Sequence, residues 1–180
     1  MPNFASVSSR VKTSGFTLVE MMVSLAIIIL ITTLVLTGFR VNQRQQAVVV
    51  EAENLAAKLR EVQGKALHGV QSGVQVPSGY GIYIDPAGFG DRYYIFADAN
   101  GDNLYQPGEV QETIILDSKV VIQSASPSPA SIVFQPPFAK FYLNGVYSTN
   151  SAASIILKDK NGTFQKTINI SNLGGKIYVN

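Results

Sequence analysis

The feature that most constrains this chain is an apolar segment close to its amino terminus. Residues 16–39, FTLVEMMVSLAIIILITTLVLTGF, are 24 residues with one formal charge, on Glu20. As an α-helix that rises 1.5 Å per residue, the segment would be about 36 Å long, and the hydrocarbon core of a bilayer is about 30 Å thick. The sequence therefore predicts a helix long enough to cross a membrane.

The apolar segment differs from a cleaved secretory signal. Such a signal has an apolar region of about 7 to 15 residues followed by a small-residue cleavage site, and this segment has neither property. We therefore expect it to remain in the mature protein. Its orientation is not fixed by charge, because Arg10 and Lys12 precede it and Arg40 and Arg44 follow it, which gives two basic residues on each side.

Glu20 is the unusual residue of the apolar segment. A carboxylate in hydrocarbon is unfavourable, by roughly 2.5 to 3.5 kcal/mol for Asp at a helix centre on insertion scales. Its presence indicates that Glu20 has a partner or a function.

The helical pattern continues beyond Arg40. Apolar residues recur at spacings of 4, 3, 4, 3 and 4, which is typical of a helix that packs on a partner surface. They are Val48, Ala52, Leu55, Leu59, Val62 and Ala66. Proline is absent from Asn3 to Val76, and Gly69 is a plausible stop. We predict one helix from about Phe16 to about His68, half in lipid and half packed on a head.

After Gly73 the sequence consists of short β-rich runs separated by Gly, Pro, Asn and Asp. In one run, Phe164, Ile168 and Ile170 share a face with Lys166 as the exception, which predicts a sheet with one face mostly on a core and one in water. The predicted strands are Tyr80–Ile84, Tyr93–Ala97, Glu112–Leu116, Val120–Gln123, Ser131–Phe134, Lys140–Leu143, Ser154–Leu157, Phe164–Ile170 and Lys176–Val179. The fold class is therefore α+β, a long helix packed on an antiparallel β-rich head.

Composition argues against several classes of function. The chain has no cysteine and one histidine, His68, so thiol catalysis and cysteine zinc sites are excluded. The segments 79–81 and 88–90 lack the third glycine of a nucleotide-binding fingerprint. Without residues 1–15 the basic and acidic side chains balance at 12 each, so no basic field indicates nucleic acid as a partner. We predict no catalytic residues and no required cofactor.

The residues Gly15-Phe16-Thr17-Leu18-Val19-Glu20, between a short basic leader and a long apolar helix, carry a resemblance. The chain resembles a type IV prepilin or a type II secretion pseudopilin. The resemblance implies that a prepilin peptidase cuts between Gly15 and Phe16 and methylates the new amine of Phe16. It also implies that Glu20 pairs with the amino terminus of a neighbouring subunit in a filament.

The resemblance further implies a domain organisation with the type IV pilin fold. Residues 1–15 would be the leader, 16–39 the transmembrane and filament-core helix, 40–69 an amphipathic helix packed on the head, and 70–180 the head. The protein would cross the inner membrane once with its head outside the cytoplasm, and would then enter a pilus or pseudopilus. Its partners would be other subunits in a helical filament, the prepilin peptidase and an inner-membrane assembly platform. Three alternatives are a competence-type pilin that captures DNA, a simple membrane anchor and a membrane-anchored enzyme.

The C-terminal residues of the head resemble one subgroup of this family. Residues 154–162, 164–170 and 174–179 resemble the closing hairpin and terminal strand of the GspH/FimT group of minor pilins and pseudopilins, and Ile132–Phe134 with Asn144-Gly145 fits the strand and turn before them. The absence of cysteine also removes the C-terminal disulfide that many major pilins have. The resemblance therefore implies a minor pilin or pseudopilin.

The segment Asp98–Glu109, DANGDNLYQPGE, has the spacing of a calcium-binding loop. Asp98, Asn100 and Asp102 occupy positions 1, 3 and 5, the Leu104 carbonyl position 7 and Glu109 position 12. The departure is Asn103, where the pattern has glycine, although Asn also adopts a left-handed backbone. The alternative interpretation is a solvated hairpin turn, and Pro107 and Gly108 favour a strand rather than a helix after the loop. Calcium is thus the candidate ligand of this loop.

Overall fold

The computed structural model describes residues 15–69, 76–147, 152–171 and 175–180. The predicted leader lies outside these residues except for Gly15. The chain divides into two compact units with the boundary after Arg40. One helix, α1, runs from Leu18 to His68 and contributes to both units.

The described part of the first unit, residues 15–40, is dominated by the apolar half of α1. An 18-residue window of the helix has a mean hydropathy of 2.5, and none of its residues is buried. By length and composition, the helix could therefore cross a membrane. Three hydroxyl groups in this half donate hydrogen bonds to the backbone carbonyl four residues earlier: Ser24 at 2.7 Å, Thr32 at 2.7 Å and Thr33 at 2.8 Å. These hydroxyls are therefore satisfied within the helix itself.

Helix α1 ends at the predicted position. Its last residue is His68, and Gly69 follows with a φ of +57°, a left-handed conformation that favours glycine after a helix. Lys65 and His68 lie in the last turn, where the helix dipole favours basic side chains. The sequence prediction of the stop is confirmed.

The second unit, residues 41–180, adds ten strands to the amphipathic half of α1. They are β1 Gly79–Ile84, β2 Arg92–Asp98, β3 Val110–Ile115, β4 Val120–Ser126, β5 Ala130–Gln135, β6 Lys140–Leu143, β7 Val146–Tyr147, β8 Ala152–Asp159, β9 Gln165–Ser171 and β10 Lys176–Val179. All nine predicted strands are confirmed, and β7 is additional. One turn of 3-10 helix, Pro107–Glu109, precedes β3. The α+β class is confirmed.

The strands form two antiparallel sheets rather than one series of hairpins. The first has the order β3-β2-β1-β5-β6-β7, and the second has the order β10-β9-β8-β4. The chain therefore leaves the first sheet after β3 and returns to it at β5. Strand β4 continues beyond its predicted end at Gln123 to Ser126 and pairs with β8 over this length.

The predicted stripe of α1 is the centre of the core. Val48, Ala52, Leu55, Leu59, Val62 and Ala66 are each 0 or 1% exposed. They belong to one buried cluster with side chains of the first sheet, such as Ile82 and Ile132, and of the second, such as Ile155 and Ile168. The helix thus closes the core on which both sheets pack.

The outer face of the first sheet is also covered, which the sequence pattern did not predict. Phe96 and Val133 lie there and are fully buried, and Tyr105 from the following loop packs edge-on against Phe96 at 5.6 Å between ring centroids. Tyr105 also stacks on Tyr83 at 4.0 Å. Gly81 leaves the space for this cluster, because a Cβ there would be 2.5 Å from the Phe96 ring.

The turn between β8 and β9 is organised by the buried carboxylate of Asp159, which is 1% exposed. Oδ1 accepts the N–H groups of Thr163 and Phe164, both at 2.7 Å, and Oδ2 accepts that of Asn161 at 3.3 Å. Burial raises the pKa of Asp159, but these hydrogen bonds lower it by more, and the pKa lies below its ordinary value. The ionised form is therefore the one that the fold stabilises.

We expect Asp159→Asn to lower the free energy of unfolding at pH 7 by about 1 to 3 kcal/mol, because hydrogen bonds to a charged acceptor are the stronger ones. A depressed folded pKa contributes stability above the unfolded value, about 3.9, and that contribution is lost as pH falls through the folded pKa. The difference between Asp159→Asn and wild type should therefore shrink below about pH 4. Urea unfolding of fragment 41–180 between pH 7 and pH 2 measures it. A difference that stays constant over this range would contradict the ionised role.

Candidate processing and assembly site

The described residues of the predicted cleavage junction, 15–17, have no regular secondary structure and are exposed. Residues 15–17 lie outside α1, and Phe16 is 75% exposed. A Cβ placed on Gly15 would have no atom within 4 Å. The Gly15–Phe16 bond is therefore open to an approaching enzyme, although the cleavage itself stays a prediction.

Thr17 is the N-cap of α1, a role that was not predicted from the sequence. Its Oγ1 accepts the N–H of Glu20 at 3.2 Å, and its carbonyl accepts the N–H of Met21 at 3.2 Å. This is the N-cap arrangement, and it explains why α1 begins at Leu18 rather than at Phe16. The signal was present as Thr17 followed three residues later by Glu20, the spacing of a capping box.

Glu20 lies in the first turn of α1, as its sequence position predicts. The N–H groups at a helix start carry partial positive charge, which favours a carboxylate there. Among the described residues, no hydrogen bond or ion pair engages the Glu20 carboxylate, and the side chain is exposed. The pairing of Glu20 is thus not made among the described residues and stays a prediction.

The predicted calcium loop folds as a series of tight turns after β2. Asp98, 0% exposed, accepts the N–H of Gly101 at 2.7 Å and that of Asn103 at 3.0 Å. Asn103 has the expected left-handed conformation, with a φ of +61°. Position 1 of the predicted loop therefore points inward, and position 6 makes the sharp turn.

The other predicted ligands lie in the same loop. Asn100 Oδ1 accepts the N–H of Asp102 at 3.0 Å, and Asp102 Oδ1 accepts that of Leu104 at 2.8 Å. The hydrogen bond from Leu104 is the largest of the effects that lower the pKa of Asp102. Glu109 returns to the start of the loop, where its Oε1 accepts the N–H of Ala99 at 3.0 Å.

These residues do not form a preassembled cluster of carboxylates. Over residues 15–69, 76–147, 152–171 and 175–180, no three His, Cys, Asp or Glu side chains are grouped so as to hold a metal ion. The strand that follows the loop begins at Val110, as Pro107 and Gly108 indicated. Calcium binding by Asp98, Asn100, Asp102, Leu104 and Glu109 stays a prediction.

Basic side chains of the amphipathic helix are paired with carboxylates. Lys58 lies 3.1 Å from Glu61 and 3.3 Å from Glu112 of β3, and Lys65 lies 2.8 Å from Glu61. Hydrogen bonds to Glu61 and Glu112 raise the pKa of Lys58, and those from Lys65 and Lys58 lower the pKa of Glu61. The charges of Lys58 and Lys65 are therefore balanced, whereas Arg60 donates to the carbonyl of Ile177 at 3.1 Å.

The amino-terminal segment matches a known family. Residues 10–36 match the prokaryotic N-terminal methylation motif, and the match includes Gly15, Phe16 and Glu20. The motif is that of structural subunits rather than enzymes. Together with an apolar helix that continues into an antiparallel β-head, it supports a type IV pilin-like subunit anchored in a membrane. No significant match was found among curated proteins or solved structures.

Proposed function

We propose that this protein is a minor pilin or pseudopilin, a structural subunit of a type IV pilus or of a type II secretion system. It is cleaved between Gly15 and Phe16, N-methylated on Phe16 and assembled through α1. The observation that carries the proposal is the methylation motif at residues 10–36, which heads an exposed apolar helix. Before assembly the subunit is stored in the inner membrane with its head outside the cytoplasm. The assembly platform then transfers it to a helical filament.

The proposed role of Glu20 follows from electrostatics. In a filament of packed apolar helices, the attraction between the Phe16 amine of one subunit and the Glu20 carboxylate of its neighbour is weakly screened. Either charge left unpaired in that environment is unfavourable by several kcal/mol. The pair therefore selects the register in which neighbouring helices associate. The exposed, unpaired state of the Glu20 carboxylate in the described chain supports this proposal.

The proposed subgroup is GspH/FimT. Strands β8 and β9 are joined by a tight hairpin that Asp159 caps, and β10 closes the second sheet beside β9. The Asn144-Gly145 turn is held by Asn144, which accepts the N–H of Ser131 at 2.7 Å and donates to Pro129 at 2.9 Å. This order of closing hairpin and terminal strand supports the subgroup.

The competence-type alternative needs a basic strip on the head. Two lysines of the amphipathic helix, Lys58 and Lys65, are engaged by Glu61 and Glu112. Lys176 lies over the ring of Tyr178 on β10, the strand whose Ile177 carbonyl accepts a hydrogen bond from Arg60 of the same helix at 3.1 Å. Among the described residues, the carboxylates that engage Lys58 and Lys65 support a structural role rather than DNA capture.

The first test of the proposal is the mass of the native protein. We expect a chain that lacks residues 1–15 and carries one added methyl group on Phe16. Gly15→Leu should leave the leader attached. Because an added Cβ at Gly15 meets no atom of the described residues within 4 Å, the loss reports on the peptidase and not on misfolding. Intact mass spectrometry of protein from native membranes measures both.

Gly64→Ala is the matched control, because Gly64 also has no atom within 4 Å of an added Cβ but lies far from the cleavage site. It should be processed like wild type. An uncut wild-type chain in cells that contain an active prepilin peptidase would refute the proposed function.

A further inference from the structure

The loop Asp98–Glu109 contains two buried oxygen atoms that have no donor. Three buried side-chain polar atoms among the described residues lack a hydrogen-bond partner, and two of them are Asn103 Oδ1 and Glu109 Oε2. Asn103 is 8% exposed. A buried acceptor without a donor is unfavourable, and a buried carboxylate oxygen more so. Both atoms can be satisfied by a ligand that brings positive charge or a donated proton.

Both unpartnered oxygens belong to groups that lie against the first turn of the loop. Glu109 Oε1 accepts the N–H of Ala99 at 3.0 Å, which places the whole carboxylate beside the second residue of the loop. Asn103 Nδ2 donates to the carbonyl of Gly101 at 3.4 Å, which places its amide inside the same turn. The groups that carry the two atoms therefore contact Ala99 and Gly101, which flank Asn100 in the loop.

The alternating acceptors retain the capacity to bind a cation. A carboxylate or amide oxygen has two lone pairs, so one backbone N–H leaves the second lone pair available. Asn100 Oδ1 and Asp102 Oδ1 each accept one backbone N–H, as does each oxygen of Asp98. The other oxygen of Asp102, Oδ2, already accepts two side-chain amides, from Asn100 at 2.9 Å and from Gln106 at 2.7 Å, so Oδ1 is the atom of Asp102 left for an ion. In metal sites, outer hydrogen bonds of this kind orient the ligands and do not replace the metal.

We propose that the loop binds one calcium ion through Asp98, Asn100, Asp102 and Glu109 and the carbonyl of Leu104. A water on the ion adds a ligand and is the donor that Asn103 Oδ1 lacks. Calcium takes six to eight oxygens in a flexible geometry, whereas magnesium demands a near-ideal octahedron. No three carboxylates are grouped beforehand among the described residues, so binding requires side chains of the loop to move. We assign this movement to Glu109, which exchanges its contact with Ala99 for the ion. The affinity is therefore that of the weak extracellular class, roughly 10⁻⁴ to 10⁻³ M.

The ion would act on the covered outer face of the first sheet. Tyr105 follows Leu104 directly and stacks on Tyr83 at 4.0 Å, so fixing the loop also fixes the ring that covers Phe96. The position of Tyr105 also offers a spectroscopic signal, because a tyrosine beside a bound lanthanide transfers excitation to it. The inference does not depend on processing or filament assembly.

The experiment is a calcium titration of the full chain in detergent micelles. At about ten times the dissociation constant, calcium should raise the melting temperature by roughly 3 to 6 °C, and an equal concentration of magnesium should not. Terbium should bind at the same site and emit on excitation of tyrosine, and calcium should displace it. The absence of both a calcium-specific shift and terbium emission up to about 10 mM, beyond the weakest class of such loops, would overturn the proposal.

Variants locate the site. Glu109→Gln retains an acceptor for the Ala99 N–H but removes the charge. Asp102→Asn retains an acceptor for the Leu104 N–H and removes the charge together with the acceptor of the Asn100 and Gln106 amides. Each should raise the calcium concentration at the midpoint of the titration at least tenfold. Glu112→Gln, three residues beyond the loop on exposed β3, is the matched control and should titrate like wild type. Should Glu109→Gln not fold, Asp102→Asn and the terbium titration decide alone. If both loop variants have the same calcium midpoint as the wild-type protein, the ion binds elsewhere and the proposal is overturned.

Discussion

We expect Glu20→Ala to reduce incorporation into filaments to below a tenth of wild type. The substitution leaves the Phe16 amine of the neighbouring subunit buried without a counter-charge, and removing one partner of a buried ion pair typically costs about 3 to 5 kcal/mol. Membrane insertion should be retained, because the variant removes a charge from the apolar segment. Quantification of the subunit in sheared filaments and in the membrane fraction of the same cells measures both effects.

Two variants separate charge from other effects. Glu20→Gln keeps the size of the side chain and should be as defective as Glu20→Ala. Ser24→Ala is the matched control one turn further along the helix, because its hydroxyl is engaged only by the Glu20 carbonyl of the same helix at 2.7 Å. Wild-type levels of Glu20→Ala in filaments would rule out the pairing role.

The second large effect is expected for Leu59→Ala, which truncates a fully buried side chain at the centre of the core. The free energy of unfolding of fragment 41–180 should fall by about 2 to 5 kcal/mol, because the substitution loses buried apolar area and leaves a cavity. Fragment 41–180 lacks the apolar half of α1 and should be soluble and cooperatively folded. Urea unfolding monitored by circular dichroism gives the difference.

Leu67→Ala is the control for this prediction. Leu67 lies on the same helix but is 47% exposed, so its truncation should change stability by less than about 0.5 kcal/mol. Equal effects of the two substitutions would mean that Leu59 is not buried in the isolated head and that this stripe of α1 requires other subunits.

The helix and the strands could be predicted because their signals are local. The spacing from Val48 to Ala66 repeats with the helical period, and Gly69 supplies a stop that any helix would use. Nine strands were recognisable from β-rich runs between turn residues. The short β7 was missed because Val146–Tyr147 is only two residues long and offers no period to detect.

What the sequence did not show depends on contacts between distant residues. Nothing local distinguishes β4, which joins the second sheet, from β3 and β5, which belong to the first. The covered outer face arises because Gly81 of β1 admits the ring of Phe96 from β2, and Tyr105 then closes over it. The alternation of apolar and polar residues along a strand cannot predict this covered face, because the pattern describes each strand separately.

For the candidate site, sequence and structure supply different parts. The motif places Gly15, Phe16 and Glu20 at the start of the apolar helix. The structure adds the Thr17 N-cap, after which the helix begins, so the predicted cleavage site at Gly15–Phe16 lies outside the helix. The pairing of Glu20 could not be derived from one chain, because the proposed partner belongs to another molecule. In the calcium loop, the spacing was visible in the sequence, but the unpartnered oxygens of Asn103 and Glu109 emerge only from the fold.

The hydroxyl groups of Ser24, Thr32 and Thr33 have a consequence for the transfer of this helix between environments. Each donates to a carbonyl of its own helix, so it carries its hydrogen bond with it into any surroundings. Lipid tails and the apolar side chains of neighbouring helices are then nearly equivalent solvents for this surface. Leaving the bilayer would therefore break none of these bonds. The one charged side chain of the apolar segment, Glu20 in the first turn of the helix, is then the group for which the two environments differ most.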